Sequence, residues 1–105
     1  MTTFAVGEEA EAELVAAGDW YHANARPGVA QRFREAIERA FSELSEAPDA
    51  FPVVEQWHGV TLRRLLLRGF PYQIVYGHLA GVLWVFAVAH LHRRPGYWRA
   101  RLPAR

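Results

Sequence analysis

Apolar positions recur along the chain with two different periods, and this separates helical stretches from strands. Residues 2–6 predict a short first strand. Residues 8 to about 23 combine helix-forming residues with acids in the first turn, which suits the helix dipole. A second helix is predicted to begin at Val29 or Ala30 and to end before Pro48, and its apolar stripe comprises Phe33, Ile37, Phe41 and Leu44.

The C-terminal half carries three more strand patterns, at residues 62–68, 71–78 and 82–91. The last of these has apolar residues on both sides, which is typical of a strand covered on both faces. Alternation predicts one face with Val82, Trp84, Phe86 and Val88 and an opposite face with Leu83, Val85, Ala87, Ala89 and Leu91. The helices can supply one cover, and we infer that a second molecule supplies the other.

The resulting order, β-α-α-β-β-β, predicts an α+β fold in one domain of residues 1–105. We expect an αα-hairpin packed on a mainly antiparallel four-stranded sheet, followed by a short C-terminal tail. Residues 48–59 contain Pro48 and Pro52 and are predicted to form an irregular crossing. A turn is expected at Pro95-Gly96, and then a helical end anchored by Trp98.

The amino-acid composition excludes several kinds of site and several locations for the protein. Cysteine is absent, which excludes disulfides, thiolate catalysis and cysteine metal sites. The N-terminus lacks the basic start and apolar core of a signal peptide, and no apolar run reaches membrane-spanning length. We therefore predict a cytoplasmic protein without membrane contact.

Charge is segregated along the sequence although the net charge is only +1. Residues 1–55 hold eleven acids and four arginines, whereas residues 56–105 hold eight arginines and no acid. Such asymmetry suggests an acidic or nucleic-acid partner for the basic half. All twelve cations are arginine, which suits bidentate contact with carboxylate or phosphate, although a biased genome explains the choice of arginine equally well.

Several short strings, in their order and spacing, give the chain a family resemblance. They are Trp20-Tyr21, Arg26-Pro27-Gly28, Ala47-Pro48, Phe51-Pro52, Phe70-Pro71-Tyr72 with Tyr76, Val88-Ala89-His90, Arg93-Arg94-Pro95 and Tyr97-Trp98. With the element order, they resemble the RelE/ParE superfamily of toxins from type II toxin–antitoxin systems, in particular its ParE branch. The resemblance covers nearly the whole chain.

This resemblance implies a small toxin held inactive by an antitoxin whose C-terminal segment wraps around it. A ParE-like toxin inhibits DNA gyrase by binding, whereas a RelE-like toxin is a ribosome-dependent endoribonuclease that cuts messenger RNA. The first function is our expectation and the second is the alternative. An acidic or apolar antitoxin segment would form a hetero-oligomer with the toxin.

Candidate residues follow from these two functions. Metal-free RNA cleavage needs a base, an acid and cations on one surface, and the residue types that suit this alternative are Arg64, Arg68, His90 and Tyr97. The acid nearest to a possible base position is Glu55, and His90 taken alone fits a structural role at a strand end better than a general acid. The candidate residues for antitoxin binding are Arg63, Arg64, Arg68, Tyr72, Tyr76, Arg93 and Arg94.

Other ligands are not expected. No cofactor motif is present, and His90 and His92 have no carboxylate partners nearby, so no metal site is predicted. No helix-turn-helix or other base-reading element is apparent, and direct sequence-specific recognition of nucleic acid is therefore not predicted.

Overall fold

The computed structural model describes residues 4–103, in which two helices pack on one face of a mixed sheet. Neither helix is long and apolar enough to cross a membrane. The elements in chain order are β1 (Phe4–Val6), α1 (Glu8–Asn24), α2 (Val29–Glu46), β2 (Val53–Trp57), β3 (Val60–Leu66), β4 (Tyr72–Leu79), β5 (Val82–His90) and a C-terminal 3₁₀ helix (Tyr97–Arg101). Of the predicted first strand, Thr2 and Thr3 lie outside the described residues.

The sheet has five strands in the order β1-β5-β4-β3-β2. β1 runs parallel to β5, and the other neighbours are antiparallel. This confirms the predicted α+β fold with an αα-hairpin on a mainly antiparallel sheet. The strand count differs from the predicted four, because β2 lies in the segment for which an irregular crossing was predicted.

A tight hairpin explains the additional strand. His58 and Gly59 join β2 to β3 with positive φ angles of 49° and 81°. Two successive positive φ angles match the right-handed twist of antiparallel strands, so a two-residue connection suffices. β2 follows Pro52 directly and lies at the edge of the sheet, where a proline at the strand start removes no ladder hydrogen bond.

The two helices cover the face of the sheet that we call the helix face. Phe33 on α2 is central to this core, with ring centroids 5.1 Å from Tyr21, 5.3 Å from Phe70 and 5.6 Å from Tyr72. The strands contribute the buried side chains of Leu65, Ile74, Tyr76, Leu83, Val85 and Val88, and Leu67 joins them from the residue that follows β3. The αα-hairpin therefore buries its apolar stripes on the sheet, as expected.

A β-bulge changes the predicted faces of β5. Val75 of β4 pairs with Ala87, whereas the next residue, Tyr76, pairs with Val85, so Phe86 is an extra residue in the ladder. An extra residue shifts the alternation by one position. Val88 therefore joins the helix-face core, while Ala87 and Ala89 pack with Phe86 on the opposite face. The prediction from strict alternation holds as far as Phe86 and was wrong from Ala87 onward.

The opposite face, which we call the tail face, is covered by the chain itself. Trp98 and Leu102 from the C-terminal segment are buried there at 5% and 7% exposure. Their partners are Val60, Leu62, Val75, Phe86, Ala87 and Ala89. The inference that a second molecule must cover β5 was wrong over this area, because the predicted C-terminal anchor reaches across the sheet.

Candidate functional site

The C-terminal 3₁₀ helix forms a strap across the tail face, fixed by arginines at both ends. Arg101 reaches β5, where it donates to the Phe86 carbonyl oxygen at 3.0 Å. Arg99 reaches β2, where its Nε lies 3.0 Å from Glu55 Oε2 and its guanidinium carbon lies 5.2 Å from the Trp57 ring centroid. β5 and β2 are three strand spacings apart, roughly 14 Å. Two long side chains on one short helix thus span most of the sheet.

Glu13 of α1 holds the β5 end of the strap. Its carboxylate accepts two hydrogen bonds from Arg101, at 2.8 Å and 3.0 Å, and another from the Tyr97 hydroxyl. Glu13 Oε1 also accepts from the Val88 backbone N–H at 3.0 Å. A bidentate arginine–carboxylate pair with further hydrogen bonds is among the stronger polar arrangements in proteins.

The side chains of Glu13 and Arg101 bond to the part of β5 that lies beyond its ladder with β1. The ladder between β1 and β5 ends at Val6 and Val85, so the remaining length of β5 has no strand neighbour on that side. The Val88 N–H and the Phe86 carbonyl there bind Glu13 and Arg101 instead. Side chains therefore satisfy backbone groups that would otherwise form an open edge for strand addition.

Burial within the strap changes proton affinities. Desolvation raises the pKa of Tyr97 well above its ordinary value, and the hydrogen bond to Glu13 raises it further. The hydrogen bond to Glu13 is also the main cause of a raised pKa of Arg101. Tyr97 is therefore a neutral hydrogen-bond donor at physiological pH.

Three members of the predicted antitoxin-binding set, Arg63, Tyr72 and Tyr76, make contacts within the protein. Arg63 donates to the carbonyl oxygens of Asp49 and Phe51 at 3.1 Å and 2.8 Å. Tyr76 is 1% exposed, and its hydroxyl donates to the Pro48 carbonyl at 2.6 Å. Burial raises the pKa of Tyr76 to about 12. Both residues tie the segment after α2 to the sheet, so Tyr76 does not fit its predicted role at a partner surface.

Tyr72 likewise packs in the helix-face core, where its ring meets those of Tyr21, Phe33 and His90. The other four members of the set are more accessible. Arg68, Arg93 and Arg94 are exposed and Arg64 is half-buried. Among the described residues none of these four forms an ion pair, although Arg93 stacks over Tyr97 at 4.0 Å.

The accessible arginines share one end of the sheet with exposed leucines. Leu66 of β3 pairs with Gln73 of β4, which pairs with Ala89 near the end of β5. Leu66 is 54% exposed, and Leu91, just beyond β5, is 44% exposed. We call this surface the arginine end; it consists of Arg64, Leu66, Arg68, Leu91, Arg93 and Arg94.

The residues considered for RNA cleavage are spread over the fold. Arg64 shares the tail face with Leu62, whereas the His90 ring packs on Tyr72 of the helix face. The Tyr97 hydroxyl is bound to Glu13, and Arg68 lies in the turn after β3 beside α2. Within residues 4–103, no hydrogen bond, ion pair or ring contact joins any two of these four residues.

The two histidines at the end of β5 lie side by side. The strand ends at His90, the chain then turns, and the rings of His90 and His92 lie 4.9 Å apart. His90 Nδ1 accepts the backbone N–H of His92 at 3.1 Å. No group of three or more histidine, aspartate or glutamate side chains suited to a metal ion occurs in the described part of the chain.

Sequence reasoning missed Glu13 and Arg101, which hold the strap. They are 88 positions apart, and no local pattern links them. The charge segregation carried a usable signal, because all three ion pairs of residues 4–103 join an acid of the first half to an arginine of the second: Asp49–Arg63, Glu55–Arg99 and Glu13–Arg101. Part of the asymmetry that suggested a partner is therefore used internally.

Comparisons with known proteins agree with this architecture. The family model described as ParE toxin of type II toxin-antitoxin system, parDE, matches residues 6–95. A solved structure titled "Chromosomal ParDE TA system from P. aeruginosa" superposes with a TM-score of 0.71 at 19% identity, covering 86% of this chain and 96% of the other. At 19% identity the structural match supports the fold alone. A search of curated proteins gave no significant match.

Proposed function

Because the chain belongs to the ParE toxin family of type II toxin–antitoxin systems, we propose that this toxin inhibits DNA gyrase by binding to it and that a cognate antitoxin neutralises it. The inhibition requires no bond-making by the toxin. We place both interactions in the cytoplasm.

One observation supports action by binding rather than by catalysis. The side chains that RNA cleavage would need are separated from one another. General acid–base catalysis requires its groups within hydrogen-bond reach of one reacting site. Here the Tyr97 hydroxyl is committed to Glu13, and Arg64 lies on the opposite face of the sheet from His90. This arrangement supports action through a surface rather than through an assembled catalytic site.

The arginine end is the proposed antitoxin contact. Arg64, Arg68 and Arg94 have no counterion among residues 4–103, and the neighbouring Leu66 and Leu91 expose about half of their surface. An antitoxin segment that alternates acidic and apolar residues would pair with the first group and cover the second. The toxin would then exist as a hetero-oligomer with its antitoxin.

Gyrase assays with the purified toxin test the main proposal. We expect it to inhibit DNA supercoiling and to trap cleaved DNA, and an equimolar amount of the antitoxin should restore supercoiling. Gyrase that remains fully active while transcripts are cut in toxin-expressing cells would refute the proposal in favour of the ribonuclease.

The antitoxin contact has its own test. Arg64→Glu combined with Arg94→Glu should weaken antitoxin binding at least tenfold in calorimetry, because two attractive contacts become repulsive. The control is Arg26→Glu with Arg34→Glu, which makes the same charge change on exposed residues of the helical hairpin. Equal weakening by both variants would show a general charge effect and would contradict a contact at the arginine end.

A further inference from the structure

A furrow with three arginines runs between α2 and the turn that joins β3 to β4. It has a volume of about 490 Å³, and its rim carries Arg32 and Arg39 from α2 and Arg68 from the turn. The side chains of Tyr21 and Phe70 contribute to its lining. A second hollow of about 130 Å³ is also lined by Arg39 and Arg68, so the two hollows adjoin at these arginines.

The three guanidinium groups have no counterion in the part of the chain that the structure describes. Arg32, Arg39 and Arg68 form no ion pair within residues 4–103, although Glu35 lies three positions after Arg32 and four before Arg39. Glu35 Oε2 instead accepts a hydrogen bond from the Gln31 amide at 3.2 Å. The i,i+3 and i,i+4 pairs that this spacing allows are thus not formed, and the three guanidinium groups remain available to an external anion.

The turn itself adds backbone donors. Gly69 has a φ of 85°, and the backbone N–H groups of Arg68 and Gly69 donate no hydrogen bond among the described residues. Neighbouring N–H groups beside a left-handed residue form a small concavity that binds anions. This is an observation independent of the arginine side chains, and it favours a compact oxyanion such as phosphate.

We propose that the furrow binds the phosphate backbone of double-stranded DNA. Arg32 and Arg39 are seven positions apart on α2, which corresponds to roughly 10 Å along the helix axis. Phosphates of one DNA strand wind around the axis, so their straight-line spacing exceeds the rise of about 3.4 Å per step, and these two arginines match phosphates about one or two steps apart. Arg68 lines the same furrow from the turn and would supply the third contact.

The acidic residues beside the furrow set the expected strength. Glu35 lines the larger hollow and Glu43 the smaller one, so the furrow is not uniformly positive. No base-reading element occurs among the described elements, and binding should therefore be independent of sequence and of modest affinity, with a Kd of about 10⁻⁴ to 10⁻⁶ M at physiological salt. Contact with the DNA that gyrase holds is the part of this proposal that rests on the proposed function.

Fluorescence anisotropy of a short mixed-sequence DNA duplex with the full-length toxin tests the furrow without gyrase. Three phosphate contacts predict a slope of about −2.7 for the logarithm of affinity against the logarithm of salt concentration. Arg32→Gln with Arg39→Gln should reduce the slope to about −0.9 and weaken binding about tenfold at low salt. The control Arg26→Gln with Arg34→Gln removes the same charge from the helical hairpin and should change the slope by less than about 0.5.

The outcomes separate this proposal from the others. Equal losses in the two double variants, or no DNA binding at low salt, would overturn it. Binding of poly-glutamate but not of DNA, lost in the Arg32/Arg39 variant, would also overturn it and assign the furrow to an acidic protein partner. Because the duplex assay contains no gyrase, a toxin that binds DNA through the furrow but leaves gyrase active would refute only the proposed function.

Discussion

The bond between Glu13 and Arg101 offers the sharpest test of how the tail face is closed. Glu13→Gln keeps the shape of the side chain and an oxygen that can accept from the Val88 N–H. It removes the negative charge that faces Arg101. Arg101→Gln removes the positive charge from the other side. The double variant replaces the ion pair with two neutral amides that can still hydrogen-bond.

The expected cost follows from burial. The side chains of Glu13 and Arg101 are only 17% and 16% exposed. Removing one partner of a buried pair leaves the other charge uncompensated, which typically costs about 3–5 kcal/mol. Because both groups keep some contact with water, we expect the lower end, about 3 kcal/mol, for either single variant. That is a large share of the roughly 5–15 kcal/mol that stabilises a typical domain.

Urea denaturation followed by tryptophan fluorescence measures these changes, because Trp98 lies on the strap. For a domain of this size, a loss of 3 kcal/mol also corresponds to a fall in Tm of roughly 12–24 °C. The double-mutant cycle should give a coupling energy of about 2 kcal/mol between Glu13 and Arg101. Glu11→Gln, on the exposed side of α1, serves as the control and should change stability by less than about 0.5 kcal/mol.

A coupling energy below about 0.5 kcal/mol would refute the reasoning. It would mean that the strap is held by its apolar contacts and by Arg99 on β2, and that the ion pair adds nothing beyond two solvated charges. Equal destabilisation by Glu11→Gln and by Glu13→Gln would also refute the reasoning, because the effect would then reflect the total charge of α1.

Three further outcomes can be checked with single variants. Tyr97→Phe should flatten the loss of stability above pH 10 in denaturation series: the folded-state pKa of Tyr97 is raised, so its contribution is complete below the unfolded value near 10 and declines as pH rises toward the folded value. An unchanged alkaline profile would contradict this. Gly77→Ala should cost about 1–3 kcal/mol in urea, because its new Cβ would lie 2.6 Å from the Thr61 carbonyl oxygen; a neutral result would show that β3 can move aside. His90→Ala should leave toxicity largely intact in growth assays, and complete loss with unchanged folding would favour the ribonuclease.

Patterns within single elements were enough to predict most of the fold. The 3.6-residue period placed α2 from Val29, where it begins, and the strand patterns placed β3, β4 and β5 within about two residues of their observed ends. Each of these elements buries one face, and the spacing of its own apolar residues identifies that face. The anchoring role of Trp98 was predictable because burial of an indole ring removes a large apolar area from water.

What could not be predicted depends on contacts between distant elements. The bulge at Phe86 has no sequence signature, and it reverses the faces of every later residue in β5. β2 had a weak signal in His58-Gly59, because histidine tolerates positive φ less readily than glycine but more readily than most residues. The bonds that Glu13 makes on the tail face depend on α1 running beside the open length of β5, which only the completed topology shows.

The internal ion pairs limit the surfaces at which a partner can readily bind this toxin. Arg63, Arg99 and Arg101 each have an acid from the first half of the chain, so a partner that displaced them would have to replace those bonds as well as cover the surface. The arginines of the arginine end and of the furrow carry no such cost, and Arg68 belongs to both surfaces. An antitoxin that covers Arg68 would therefore also obstruct the furrow, so that one contact would neutralise two proposed binding surfaces.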